Sequence, residues 1–218
     1  MNSIHRVSTP RSEQNELIEH LEKWSTFVLA NIVWAILSIP VITLPAATAG
    51  LFGYLSKRAR GQQPDFFATF FGSVQRHWRK ATVIALLNVL VGGLVIANFF
   101  ILPMMDFNTD PLAFLARSVT LFMALTLLLL NLYAWSLMVL LEKMSVVQLI
   151  RASASLVFAH PLWSLLVLLG ASVPVVISLF LPQGMFVIAT ISVCVLIICK
   201  GTWRVIRAHL SPEQLSLL

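Results

Sequence analysis

The sequence predicts an all-α, polytopic helical membrane protein. An N-terminal hairpin that turns at proline is followed by four spans and by cytoplasmic amphipathic helices. Two observations lead there. The chain is 58% hydrophobic and only 11% charged, against about 45–50% and about 25% in a typical soluble domain. Residues 24–56, 81–105, 118–141 and 152–199 contain no Asp, Glu, Lys or Arg, and each run exceeds the ~20 residues a helix needs to cross a bilayer. The net charge of +6 belongs to the ends of these runs, where membrane orientation places basic residues. No basic patch interleaved with aromatics lies in a soluble segment, so nucleic acid is not an expected partner.

The first element is the hairpin. The stretch SIPVITLPAATAG, residues 38–50, carries Pro40 and Pro45, and proline removes a helix hydrogen bond and clashes with the preceding turn. Ala47-Thr48-Ala49 imitates a signal-peptidase site, but Glu13, Glu16, Glu19 and Glu22 precede an apolar run too long for a signal peptide. A turn at Pro40–Pro45 keeps every Lys and Arg except Arg117 on one side of the membrane, which is the cytoplasmic side by the positive-inside rule. The second arm, from Ala46 to about Ser56, is only about 17 Å long at 1.5 Å per residue, so the hairpin either spans with snorkelling basic ends or is re-entrant. Ala46 with Gly50, and Ala49 with Gly53, form small-xxx-small pairs suited to close helix packing. Leu51 is expected to face lipid.

Residues 61–80 form an interfacial segment. In PDFFATFFGSVQRHWRK, Phe66, Phe67, Phe70, Phe71, Val74 and Trp78 lie opposite Thr69, Ser73, Arg76 and Lys80, the pattern of a helix lying on a membrane surface or packed on the protein itself. Four spans follow within 81–200, at 82–102, 114–141, 162–181 and 185–199. The chain then reads as one membrane domain, residues 1–218. Residues 1–23 form a cytoplasmic N-terminal segment, 24–60 the hairpin and 201–218 a cytoplasmic tail. A second cytoplasmic helix is predicted over 145–159. The two halves suggest a parallel repeat. Each has a cytoplasmic helix, a His with Trp close behind (His77-Trp78, then His160 and Trp163) and a span ending in FFILP or LFLP.

The stretch NIVWAILSIPVITLPAATAGLFGYLSKRARG, followed by DFFATFFGSVQRHWRKATVIALL, resembles the YesL-like family of bacterial integral membrane proteins. The likeness covers about residues 20–95, and the rest agrees in hydropathy more than in motif. Where family members commonly have Gly-Pro, this chain has Leu44-Pro45. The resemblance implies a helical protein of the bacterial inner membrane, often encoded near carbohydrate-uptake genes. It implies no activity.

The residues themselves argue against an enzyme. The five histidines, His5, His20, His77, His160 and His209, all fall in or beside basic segments, and no span carries a carboxylate. That leaves no Ser–His pair, carboxylate dyad or metal-ligand set at membrane depth, and no cofactor or metal is expected. Cys194 and Cys199 point to different faces of one helix and are expected to remain unpaired thiols. Proton-coupled transport normally uses ionisable groups inside the bundle, and these spans have none. Neutral polar residues do occur at depth, among them Asn31, Thr43, Thr48, Asn88, Asn98, Asn131 and Ser136, read as interhelical hydrogen-bonders or as the lining of a solute path.

Two functions stay open. One is an accessory or scaffold component of a membrane transport system, with the bilayer and a transporter as partners and self-association compatible with either reading. The other is a small-solute permease or channel. The candidate partner or solute site is the turn, Pro40, Thr43, Pro45 and Thr48, where freed backbone groups and two hydroxyls could bind a ligand. The topology has a direct check. Cysteines introduced at Ser3 and Ser216 should both be protected from an impermeant maleimide in intact cells, and labelling at Ser3 alone would remove the hairpin.

Overall fold

A computed structural model describes residues 25–101, 111–180 and 190–209, and the elements among them are all helical. In chain order they are α1 (Ser25–Ser38), a 3-10 turn (Val41–Thr43), α2 (Leu44–Ala59), α3 (Phe66–Ile101), α4 (Pro111–Leu140), α5 (Val146–Ala159), α6 (Pro161–Leu179) and α7 (Ile191–His209). Three helices, α3, α4 and α6, are long and apolar enough to cross a membrane. Residues 1–24, 102–110, 181–189 and 210–218 are outside the described residues, and with them the expected segment 1–23, the start of the span expected at 185–199 and the second half of the tail.

The chain reverses where the prolines predict. Pro40 takes an extended conformation ahead of the 3-10 turn. Pro45 falls in the first turn of α2, where a missing N–H costs nothing and the fixed φ suits a helix. The described part of α1 is about 21 Å long and α2 about 24 Å, so both are shorter than the ~30 Å hydrocarbon core. At the tip Ile39, Val41 and Ile42 are exposed, which leaves the reversal with an apolar surface.

The short arm α2 lies at the centre of the molecule. Ala47 and every residue from Ala49 to Ser56 are buried, and α2 packs against α3, α4 and α7. From α1, Phe27, Leu29, Val33, Trp34 and Leu37 cover the core around Leu51, Phe52 and Leu55. Leu51 therefore does not face lipid as its sequence position suggested. It is fully enclosed, because α2 has neighbours on all sides. The glycines explain how α3 comes so close. A Cβ on Gly50 would sit 2.7 Å from Val74 Cγ2, and one on Gly53 would collide with Ser73 Oγ. Ala49 is fully buried beside them, while Ala46 is half-buried.

The expected boundary near residue 80 is not a break. Residues 66–101 form one helix of 36 residues, about 54 Å long. No proline or glycine interrupts RHWRKATVIA, so the helix has no reason to stop. The charge-free half, from Ala81, matches a bilayer crossing, and residues 66–80 extend beyond it. The aromatic face of this extension is divided. Phe66 and Phe70 are buried against α2, whereas Phe67, Phe71 and Trp78 are exposed. Tyr54 meets Phe66 edge-on at 5.0 Å, so the segment packs on the protein itself.

The second half is built differently from the first. At His160-Pro161 the backbone turns a corner (His160 φ −133, ψ 61), with α5 ending and α6 starting there. The matching His77 is in mid-helix, so the two proposed repeat units differ at the point that suggested them; Pro103 and Pro182 fall outside the described residues. Helix α5 starts with a capping box, Ser145 and Gln148 exchanging side-chain and backbone bonds. A second core joins Leu132, Tyr133, Leu137 and Met138 of α4 to Leu149 and Val157 of α5 and Val167 of α6. Helix α7 runs unbroken through residue 200, where a span-to-tail boundary was expected, to His209.

The close approach of α2 to α3 leads to a stability test. Gly50→Leu or Gly53→Val should destabilise the detergent-solubilised protein by about 1–3 kcal/mol through overpacking. Leu94→Val, on an exposed face of α3, should shift it by less than about 0.5 kcal/mol. Thermal unfolding that treats the three variants alike would mean the helices do not meet at the glycines.

Candidate functional site

The polar residues singled out at depth mostly find partners within the protein. Asn88 and Asn131 exchange amide hydrogen bonds of 2.6 and 2.7 Å between α3 and α4, and Trp135 Nε1 donates to Asn131 Oδ1 at 3.1 Å. Asn98 Nδ2 donates to Thr120 Oγ1 at 3.1 Å. Asn31 Oδ1 accepts from both the backbone N–H and the hydroxyl of Ser192, tying α1 to α7 in a fully buried position. Ser136 contacts the buried Cys199 thiol at 3.9 Å. Cys194 and Cys199 are both free thiols.

The turn is closed in the same way. The Thr43 hydroxyl bonds the carbonyls of Leu37 and Pro40. Thr48 Oγ1 donates to the Leu44 carbonyl at 2.8 Å and accepts from Trp34 Nε1 at 3.2 Å. The two hydroxyls of the sequence-predicted site thus cap the reversal and fasten α1 to α2. Pro40 and Pro45 shape its backbone. Ala46 lies between Pro45 and Thr48, and Ala49, Gly50 and Gly53 lie within about two turns beyond Thr48 along α2, on the way to a different feature.

That feature is a pocket of about 680 Å³ at the charged end of the bundle. Four stretches build it. The last turns of α2 supply Gly53, Lys57 and Arg60, and the projecting half of α3 supplies Thr69, Ser73, Arg76 and His77. The end of α4 and its link to α5 supply Leu140, Glu142, Lys143 and Met144. Thr69, Ser73 and Arg76 recur at helical spacing, so one stripe of α3 faces the pocket. Arg76 Nη1 meets Glu142 Oε1 at 2.6 Å, an exposed pair worth little to stability. Lys80 Nζ donates to the carbonyls of Glu142 and Met144 at 2.5 and 2.8 Å and fixes the α4–α5 link against α3. Arg60 lies 5.8 Å over the Trp203 ring of α7, and Arg58 lies 5.0 Å over the Phe27 ring of α1.

His77 is the unusual member. It is only 2% exposed, and its Nδ1 has no hydrogen-bond partner. A buried polar atom left unpaired is costly. Residues 66–80 extend past the crossing stretch, so His77 sits among the charges at the end of the bundle. Burial holds its imidazole below the ordinary histidine value; the Glu142 carboxylate pulls the other way, and Lys80 and Arg76 reinforce the depression. His160 lies at the α5–α6 corner and does not line the pocket.

In the sequence Lys57, Arg60, Arg76 and Lys143 read as orientation signals, not as a site. The stripe Thr69, Ser73, Arg76 was visible, but as the polar face of a helix on the membrane surface or on the protein itself. What the sequence does not contain is the pairing of that stripe with the α4–α5 link, which lies 62–66 residues away along the chain. Among the described residues no group of His, Cys, Asp and Glu could hold a metal ion.

A family model described as "Protein of unknown function, DUF624" matches residues 27–99. The matched stretch runs from α1 through α2 to near the end of α3, and so includes the turn, the glycine contact and the α2 and α3 walls of the pocket. In that part the chain is similar to the family. No curated protein and no solved structure matches.

Proposed function

We propose that the protein is a non-catalytic accessory or scaffold component of a membrane transport system in the bacterial inner membrane, with both termini and the charged end in the cytoplasm. The observation that carries this reading is the mutual pairing of the polar groups at depth. The amides of Asn88 and Asn131 and the hydroxyls of Thr43 and Thr48 bond within the protein. A solute path would need such groups to face a passing molecule instead. The outer faces point the same way. Val89, Leu90, Leu94 and Ile96 of α3, with Leu121 and Phe122 of α4, are exposed, and they present smooth apolar surface to lipid or to the spans of a partner. The YesL-like resemblance and the family match fall on the same part of the chain, and the resemblance directs the partner search to carbohydrate uptake.

The competing reading is a permease, favoured by the broken first segment. A pair of measurements separates the two. The tagged full-length chain, extracted in mild detergent, should retain the membrane subunits of a carbohydrate permease. The purified chain in liposomes should give no sugar flux above empty vesicles. The Thr43→Val/Thr48→Val double variant should retain the permease as well as the parent does. Flux through the purified chain that Asn88→Leu abolishes would replace this reading with the permease.

A further inference from the structure

We infer that the pocket at the charged end is a binding site for a phosphate group, carried by a small phosphorylated metabolite or by an anionic phospholipid headgroup. The inference does not rest on the accessory role.

The composition of the walls comes first. Lys57, Arg60, Arg76 and Lys143 surround the cavity against a single carboxylate, Glu142, which is already paired with Arg76. Lys57 and Lys143 have no ion-pair partner among the described residues. Like charges gathered round a concave, partly enclosed space repel one another and focus a positive potential into it. Basic residues that serve orientation alone need only lie near the membrane ends, and an outward, solvated face would do. These four come from three separate parts of the chain and converge on one cavity.

His77 is the second, independent observation. Its imidazole is enclosed on the wall of the same pocket with Nδ1 unpartnered. Ser73 and Thr69 add hydroxyl donors to that wall one and two turns away along α3, and a turn of the His77 ring that brought Nδ1–H to the cavity would give the enclosed nitrogen an anion oxygen as the partner it lacks. Several donors arranged around a cavity suit the separate oxygens of a phosphate group, and charge-assisted bonds of this kind are the strong ones. The volume, about 680 Å³, falls within the ~300–1,000 Å³ of ligand sites and leaves room for an organic body besides the phosphate.

The test uses the full chain in nanodiscs of neutral phosphatidylcholine, titrated by calorimetry with inorganic phosphate and with a hexose phosphate at constant ionic strength. Saturable binding of either supports the site with a soluble source. Native mass spectrometry of the chain extracted from its own membrane is the second arm, and an anionic phospholipid retained by the parent and lost from the variants supports the site with a lipid source. In whichever arm binds, Lys57→Gln and His77→Gln should each weaken binding at least ~10-fold, and Lys200→Gln, outside the pocket, should leave it unchanged. If His77→Gln does not fold, Lys57→Gln decides alone, since Lys57 is only half-buried. No saturable phosphate binding together with equal lipid retention in all variants would overturn the proposal, as would binding that Lys57→Gln leaves intact.

Discussion

Gly50 and Gly53 let the backbone of α2 rest against Phe70, Ser73 and Val74 of α3, and the positions of the other helices follow from that contact. A helix of 16 residues is too short to cross a bilayer unaided. Its backbone bonds are satisfied internally, but its ends and the reversal before it must be covered by protein or by their own side chains. Helix α3 covers one side, α7 and α4 the others, and α1 folds back over Leu51 and Leu55. Thr43 and Thr48 close the reversal. Small residues make such a centre workable, because close backbone approach replaces the hydrophobic driving force that helices in lipid lack.

The same contact determines the shape of the charged end. Because α3 continues straight past the crossing stretch, its residues 66–80 stand beside the last turns of α2. The α4–α5 link then closes on them through Lys80 and Arg76. Phe66 and Phe70 anchor this extension on α2, and the polar stripe one face round becomes a pocket wall. Packing in the apolar half of the molecule thus places charged groups in the other half.

Much of this was legible in the sequence, and the limits have physical causes. Charge-free runs located α3, α4 and α6, since few compositions other than a membrane helix tolerate so many residues without a charge. Pro40 and Pro45 marked the reversal, because proline acts locally. Leu51 was misread because a short arm looks peripheral until its neighbours are known. The division at residue 80 was misread because a change from basic to apolar composition alters the surroundings of a helix without interrupting it. His77 looked like any interfacial histidine. Only a link distant in sequence, folding back beside it, encloses the ring and leaves Nδ1 unpaired.

With α2 about 24 Å long against a hydrocarbon core of ~30 Å, a first hairpin that enters the apolar layer and returns without emerging is the expected arrangement, with α2 as its protein-enclosed arm. Its tip tests this most directly. Ile42 is exposed on the protein, so a cysteine there reports the medium around the reversal. Ile42→Cys should resist impermeant maleimide added from either side of the membrane, and a fluorophore attached there in detergent and reconstituted should be quenched by lipid-soluble nitroxides and not by aqueous iodide. Ready labelling from the outer face of intact cells, with quenching by iodide, would contradict it and make the hairpin two full crossings.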